Sequence, residues 1–174
     1  MKLTHIDKKG AIKMVDVAGK DITHRKAKAF ARVIMNPGTF KAITYGRVKK
    51  GNVIEAARLA GIMAAKETHK LIPLCHPINI THIQVEIKPI RPKTLEITAS
   101  VEAYDRTGVE MEALTAVAVS GLTIYDMCKA IDRGMRITEI RLLEKSGGRS
   151  GHYRRKATTD FAGRGLCGVH RLRR

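Results

Sequence analysis

The chain has 174 residues, 33 Lys/Arg against 16 Asp/Glu and a formal net charge of +17, long enough for one domain that buries roughly two-thirds of its unfolded surface. No apolar run approaches the about 18 residues of a membrane span, MKLTHIDKKG holds no signal-peptide core, and Cys75, Cys128 and Cys167 form no C-x-x-C pair, so a reducing cytoplasm is expected. The charge asks for an anionic partner, whether nucleic acid, a membrane surface or a phosphorylated metabolite, but with no Trp and 4% aromatics the chain is poorly equipped to stack bases.

In chain order, the first strong pattern is at residues 27–35, where Ala27, Ala29, Ala31, Val33 and Met35 share one parity, as in a half-buried strand. NPGTFKAITYG predicts a short helix with Asn36 as cap, Pro37 in the first turn and Gly46 as stop. GNVIEAARLAGIMAAKETHKL predicts a second helix, opened by Asn52 and Glu55 at capping-box spacing. Its alanines and Gly61 suit close packing against a neighbour. Two alternating runs follow, Ile83, Val85 and Ile87, then Leu95, Ile97, Ala99, Val101 and Ala103, with PIRPK turning the chain between them into a hairpin. Residues 109–133 give the longest helical pattern, and MRITEIRLLEK supplies a last strand before the glycine-rich KSGGRSG. The order β-α-α-β-β-α-β is an α+β, ferredoxin-like split βαβ with one extra helix: an antiparallel sheet with helices on one face. Residues 1–156 form a single catalytic domain in this reading. From Arg154 onward the chain carries seven Lys/Arg and one Asp, and 157–174, without period, reads as a basic, disordered tail.

Four stretches could carry chemistry. LIPLCHP (71–77) sets Cys75 and His76 between Pro73 and Pro77, each of which fixes its own φ and pushes the preceding residue towards extended backbone. Zinc would need further ligands at a spacing that is missing, and neighbours on extended backbone point apart, which weakens a Cys/His nucleophile pair. Packing would explain the cysteine but not the two prolines. On the long helix, TGVE predicts a capping box from Thr107 to Glu110. Glu112, Thr115, Val119, Leu122, Asp126, Lys129 and Arg133 then fall on one stripe. Asp126 and Lys129 are either a surface ion pair or a proton-transfer pair, in which the carboxylate holds the lysine charged while desolvation lowers its pKa. Lys145 and Arg149 flank Gly147 and Gly148, which would let backbone amides approach an anion, although the P-loop spacing is absent. Arg25, Lys49 and Lys50 are further phosphate-ligand candidates, with a solvated basic face as the alternative.

Together, MVDVAGK (14–20), KKGNVIEAARLAGIMAAKETHKLIPLCHP (49–77), GVEMEALTAVAVSGLTIYDMCKAIDRGM (108–135) and RLLEKSGGRSG (141–151) resemble the molybdenum cofactor biosynthesis protein C family, the cyclic pyranopterin monophosphate synthases. The resemblance covers nearly all of residues 3–153 and none of the tail. It implies a pyrophosphate-releasing lyase that converts 3′,8-cyclo-7,8-dihydroguanosine 5′-triphosphate to cyclic pyranopterin monophosphate. It implies a ferredoxin-like fold and a homohexamer built as a trimer of dimers. No metal or redox cofactor is implied, beyond a divalent cation that could accompany the triphosphate. Carried over by motif, the catalytic positions are Asp126, Lys129, His76 and Lys50. Substrate-binding positions are Leu74, Cys75, His76, Met111, Glu112, Glu110, Arg25 and Lys145. Glu112 and Asp126 are fourteen residues apart on one helix, about 21 Å at 1.5 Å per residue, so a site that uses both is expected to be shared between subunits.

A nucleic-acid module on the same fold is the main rival, with an idle assembly subunit behind it. The polar parity of the hairpin, His82, Gln84, Glu86 and Lys88 against Glu96, Thr98, Ser100, Glu102 and Tyr104, is too acidic and too poor in rings for the former. Neither membrane nor nucleic acid is expected as partner.

Overall fold

The computed structural model describes residues 9–149 and 151–156. Strand β1 (Thr23–Ile34) is followed by helices α1 (Pro37–Thr44), α2 (Val53–Lys66) and the single turn α3 (Thr68–Leu71). The hairpin β2 (Ile80–Ile90) and β3 (Thr94–Asp105) leads into α4 (Glu110–Cys128), then β4 (Arg136–Ser146) and the two-residue β5 (Tyr153–Arg154). The strands form one antiparallel sheet in the order β2-β3-β1-β4-β5. The first four are the split βαβ arrangement expected; the second helix, expected to run to Leu71, breaks at Glu67 into α2 and α3, and β5 is an addition too short to carry a period.

Alternation places the core. On β1, Ala27, Ala29, Ala31 and Val33 are fully buried, and Leu95, Ile97, Ala99, Val101 and Ala103 do the same from β3. Helices α2 and α4 lie over this face, α4 across β1, β3 and β4 and α2 against α4 and β2. The two helices meet where α2 has no side chain: a Cβ on Gly61 would run into Ser120 Oγ and the Ala116 carbonyl oxygen. Ser120 uses that proximity to donate to the Ala57 carbonyl at 2.9 Å.

The opposite face is open, and its charges are paired within the sheet. Lys26 meets Glu102 at 2.7 Å, and Arg32 meets Glu96 at 2.8 Å and Glu139 at 2.6 Å. The Arg32 and Arg141 guanidinium groups cover the Phe30 ring at 5.4 and 4.8 Å. A capped ring among ion pairs leaves little free aromatic surface for stacking bases.

Several local expectations are corrected. The long helix ends at Cys128, and Ile131 and Asp132 turn back onto the Cys128 carbonyl. Asn36 precedes α1 as expected, but its side chain makes no capping bond. Buried Asp132 supplies the carboxylate there instead, accepting from the Asn36 N–H at 2.8 Å. The Thr107–Glu110 capping box does not form either. Val109 is the N-cap and Glu110 the first helical residue, so Glu110 turns away to meet Lys145. The Asn52 cap does form, with its Oδ1 accepting from the Glu55 N–H at 3.2 Å. The tail 157–174 lies outside the described residues.

Candidate active site

Two contiguous clefts open beside the N-terminal end of α4 and share Lys20, Thr107, Gly108 and Glu110 on their walls. The first, about 530 Å³, is cationic, with Arg25, Arg106, Lys145 and Arg149 along it. The second, about 370 Å³, is lined by Leu74, Cys75, His76, Met111 and Glu112. All eight positions expected to bind substrate are therefore brought together, with His76 among them.

The LCHP segment is shaped by a turn rather than by uniformly extended chain. The Cys75 N–H donates to the Ile72 carbonyl at 3.0 Å, which places Pro73 at the second position of the turn, where its fixed φ is favourable. Both Cys75 and His76 line the second cleft. Cys75 is half-buried, and its thiol pKa is raised by burial and by the neighbouring Glu112 charge. It is a poor thiolate, which fits a wall residue better than a nucleophile.

Glu112 is the most perturbed carboxyl. It is 3% exposed, and its Oε2 is buried with no hydrogen-bond partner among the described residues. Burial pushes its pKa up to about 7, with the charges of Glu110 and Asp105 adding to the rise. Near neutral pH such a group can either hold or release a proton, which is what acid–base work requires.

In the cationic cleft, Arg25 is buried at the base and donates from Nε to the Asp105 carbonyl at 3.1 Å and from Nη2 to the Arg106 carbonyl at 3.2 Å. Gly147 and Gly148 have φ of +94° and +72°, and a Cβ on Gly148 would collide with the Arg25 guanidinium. The absence of side chains there lets Arg25 seat against the turn. Lys145 reaches Glu110 at 3.0 Å across the cleft.

Lys50, Asp126 and Lys129 line neither cleft. They meet on the surface at the far end of α4: Lys129 Nζ lies 2.7 Å from Asp126 Oδ1, and Lys50 Nζ lies 3.1 Å from Asp126 Oδ2 and 2.9 Å from the Asp126 carbonyl oxygen. The hydrogen bond from Lys129, then that from Lys50, holds the Asp126 carboxyl below its usual range, and Asp126 raises the Lys129 pKa in turn. Of the two opposing effects weighed from sequence, the carboxylate wins over desolvation in the single chain. The expected stripe is thus divided, buried at Glu112 and Thr115 and exposed from Leu122 onward.

Lys20 and Arg106 line the cleft without having been singled out from sequence. Lys20 lies inside the MVDVAGK motif and Arg106 directly before TGVE, so adjacency to a motif was the only available signal. Among the described residues, no group of three or more His, Cys, Asp or Glu side chains is placed to hold a metal. No described helix is long and apolar enough to cross a membrane.

A model of the MoaC family matches residues 14–148, a span containing both groups of site residues. The chain is 59% identical over 153 residues to "Cyclic pyranopterin monophosphate synthase 3" of Mycobacterium tuberculosis, covering 88% of this chain and 86% of the relative. It is 57% identical over 158 residues to "Cyclic pyranopterin monophosphate synthase 1" of the same species, covering 91% and 93%. It is also 57% identical over 156 residues to "Cyclic pyranopterin monophosphate synthase" of Parvibaculum lavamentivorans, covering 89% and 98%. With its fold, its clefts and its motifs accounted for together, the chain belongs to the MoaC family.

Proposed function

We propose that the chain is a cyclic pyranopterin monophosphate synthase of molybdenum cofactor biosynthesis, acting on 3′,8-cyclo-7,8-dihydroguanosine 5′-triphosphate. Similarity to synthases at 57% and 59% identity over most of both chains carries this reading. The double cleft supports it, because a cationic half joined to a half with titratable walls suits a molecule that is polyphosphate at one end and heterocycle at the other. The reaction is of the lyase class. The ring system rearranges through proton transfers, and a hydroxyl then attacks the α-phosphorus. A new P–O bond closes the cyclic phosphate as the bond to the bridging oxygen breaks; the hydroxyl proton passes to a basic group of the site, and pyrophosphate leaves with the electron pair of the broken bond.

Arg25, Lys145 and Lys50 neutralise phosphate charge as the leaving group departs. Leu74, Cys75, Met111 and Glu110 form the walls, while Glu112 and His76 orient the ring and relay protons. Asp126 and Lys129 carry the remaining acid–base steps. Lys129 starts charged beside Asp126, so its first act is to donate a proton or to stabilise negative charge. The working unit is a homohexamer, a trimer of dimers in the cytoplasm, whose neighbouring subunit brings Lys50, Asp126 and Lys129 to the clefts.

Incubating the purified protein with the cyclised guanosine triphosphate tests the reading. Pyrophosphate and a pyranopterin should appear together. Folded protein that forms neither product from authentic substrate is not this enzyme.

A further inference from the structure

The cationic cleft contains a guanidinium with no partner among the described residues. Three described arginines, Arg58, Arg106 and Arg141, bury an Nε that meets no acceptor. Arg58 and Arg141 are nonetheless anchored, through Nη1 to Glu55 at 2.9 Å and to Glu139 at 2.5 Å. Arg106 is different: no hydrogen bond or ion pair joins its side chain to any described residue. Its cleft neighbours Arg25 and Lys145 are tied, the first to two carbonyl oxygens and the second to Glu110.

The main chain of Arg106, by contrast, is fixed at both ends. Its N–H donates to Asp105 Oδ1 at 2.6 Å and its carbonyl accepts from Arg25 Nη2 at 3.2 Å. The other carboxylate oxygen of Asp105 accepts from the Asn79 N–H at 3.2 Å, which ties this turn to the end of the LCHP segment. A rigid backbone therefore presents an unanchored guanidinium on the wall of a cleft it shares with Lys20, Arg25, Lys145 and Arg149. Buried donors without acceptors are uncommon and unfavourable in folded proteins, and a site where an acceptor arrives with the ligand is one resolution. No bond to a described residue holds the fork back from turning its edge into the cleft.

We propose that Arg106 is a further substrate-binding residue, held unpaired on the cleft wall to grip the pyrophosphate portion of the triphosphate. The inference rests on the synthase reading above. Arg106 lines the cationic cleft and not the one with Cys75, His76 and Glu112, so it meets the terminal phosphates rather than the rearranging ring. The planar fork suits two phosphate oxygens at once, which a lysine does not match.

Calorimetric titration of the full-length protein with pyrophosphate, alongside steady-state kinetics, tests this. Arg106→Met should weaken pyrophosphate binding about tenfold, and Arg106→Lys should fall between it and wild type. The substrate KM should rise by more than kcat falls, as for loss of binding common to ground and transition states. Because no described residue pairs with this side chain, the melting temperature should hold. Should Arg106→Met fail to fold, Arg106→Lys carries the comparison. Lys41→Ala, which removes one exposed positive charge on α1, separates local contact from the general field. Pyrophosphate affinity and KM within about twofold of wild type in Arg106→Met, or equal losses in Lys41→Ala, would overturn the proposal. If the wild type binds pyrophosphate through Arg106 yet makes no pyranopterin, the anion site stands and the synthase reading falls.

Discussion

Glu112 and Lys129 are both titratable candidates for the site, yet their surroundings act on them through different physics. Glu112 is raised from 4.5 to about 7 chiefly by burial. Between those values the folded state binds more protons at Glu112 than the unfolded one, so the contribution of this group to stability is fully present below about 4.5 and is lost as pH rises through about 7. The linked loss is about 3 kcal/mol in order of magnitude. Urea titrations at fixed protein concentration should show the decline between pH 5 and pH 8, and Glu112→Gln should flatten it; an unchanged slope in that variant would place the titration elsewhere. Lys129 is exposed and held charged by Asp126, so stability is not where its value lies. Lys129→Ala should abolish pyranopterin formation while the urea midpoint moves little, since exposed, solvent-screened ion pairs contribute little to stability. Near-normal turnover would return Lys129 to the surface-pair reading. The Asp126–Lys129 pairing could be read from i, i+3 spacing alone. The burial of Glu112 could not, because it depends on what α4 packs against.

At the scale of elements, legibility followed locality. The parity of β1 and β3, the hairpin and the Asn52 cap are encoded in neighbouring residues and appear as expected. The missing Thr107–Glu110 box and the Asp132 carboxylate at α1 are tertiary substitutions, in which a residue distant in sequence supplies what a local side chain was expected to. Gly147 and Gly148 were recognisable as a turn, but their use in seating Arg25 needs β1 and the loop after β4 in one place. The α2–α4 seam offers a test of which force dominates. Helix propensity alone favours Ala over Gly by about 1 kcal/mol. At position 61, however, a methyl group would press on Ser120 Oγ and a backbone carbonyl of α4. Gly61→Ala should therefore destabilise by about 1–2 kcal/mol net, overpacking outweighing propensity. A gain in the chemical-denaturation midpoint would mean that the seam relaxes easily.

At the scale of the whole molecule, the site residues separate into two groups at opposite ends of one helix. Arg25, the LCHP positions, Glu110, Met111, Glu112 and Lys145 border the clefts, while Lys50, Asp126 and Lys129 do not. Fourteen residues of α4 span about 21 Å, too far for one reacting centre to touch both ends. The distance was legible in the sequence, because helix rise is fixed; which group borders a cavity was not. If both groups serve one reaction, a two-fold axis must bring the Asp126 end of one chain to the Glu112 end of another. Glu112→Ala and Asp126→Ala chains should each be inactive alone. In a mixed dimer, one pocket collects both substitutions and the other collects neither, so that pocket is wild type in every contributing side chain. Random pairing of equal amounts makes half the dimers mixed, and pyranopterin formation should recover to about a quarter of wild type. Purified mixed dimers should reach about half. Mixed dimers no more active than either inactive parent would overturn the shared site, whereas an active Asp126→Ala parent would return Lys50, Asp126 and Lys129 to an ion cluster on the surface.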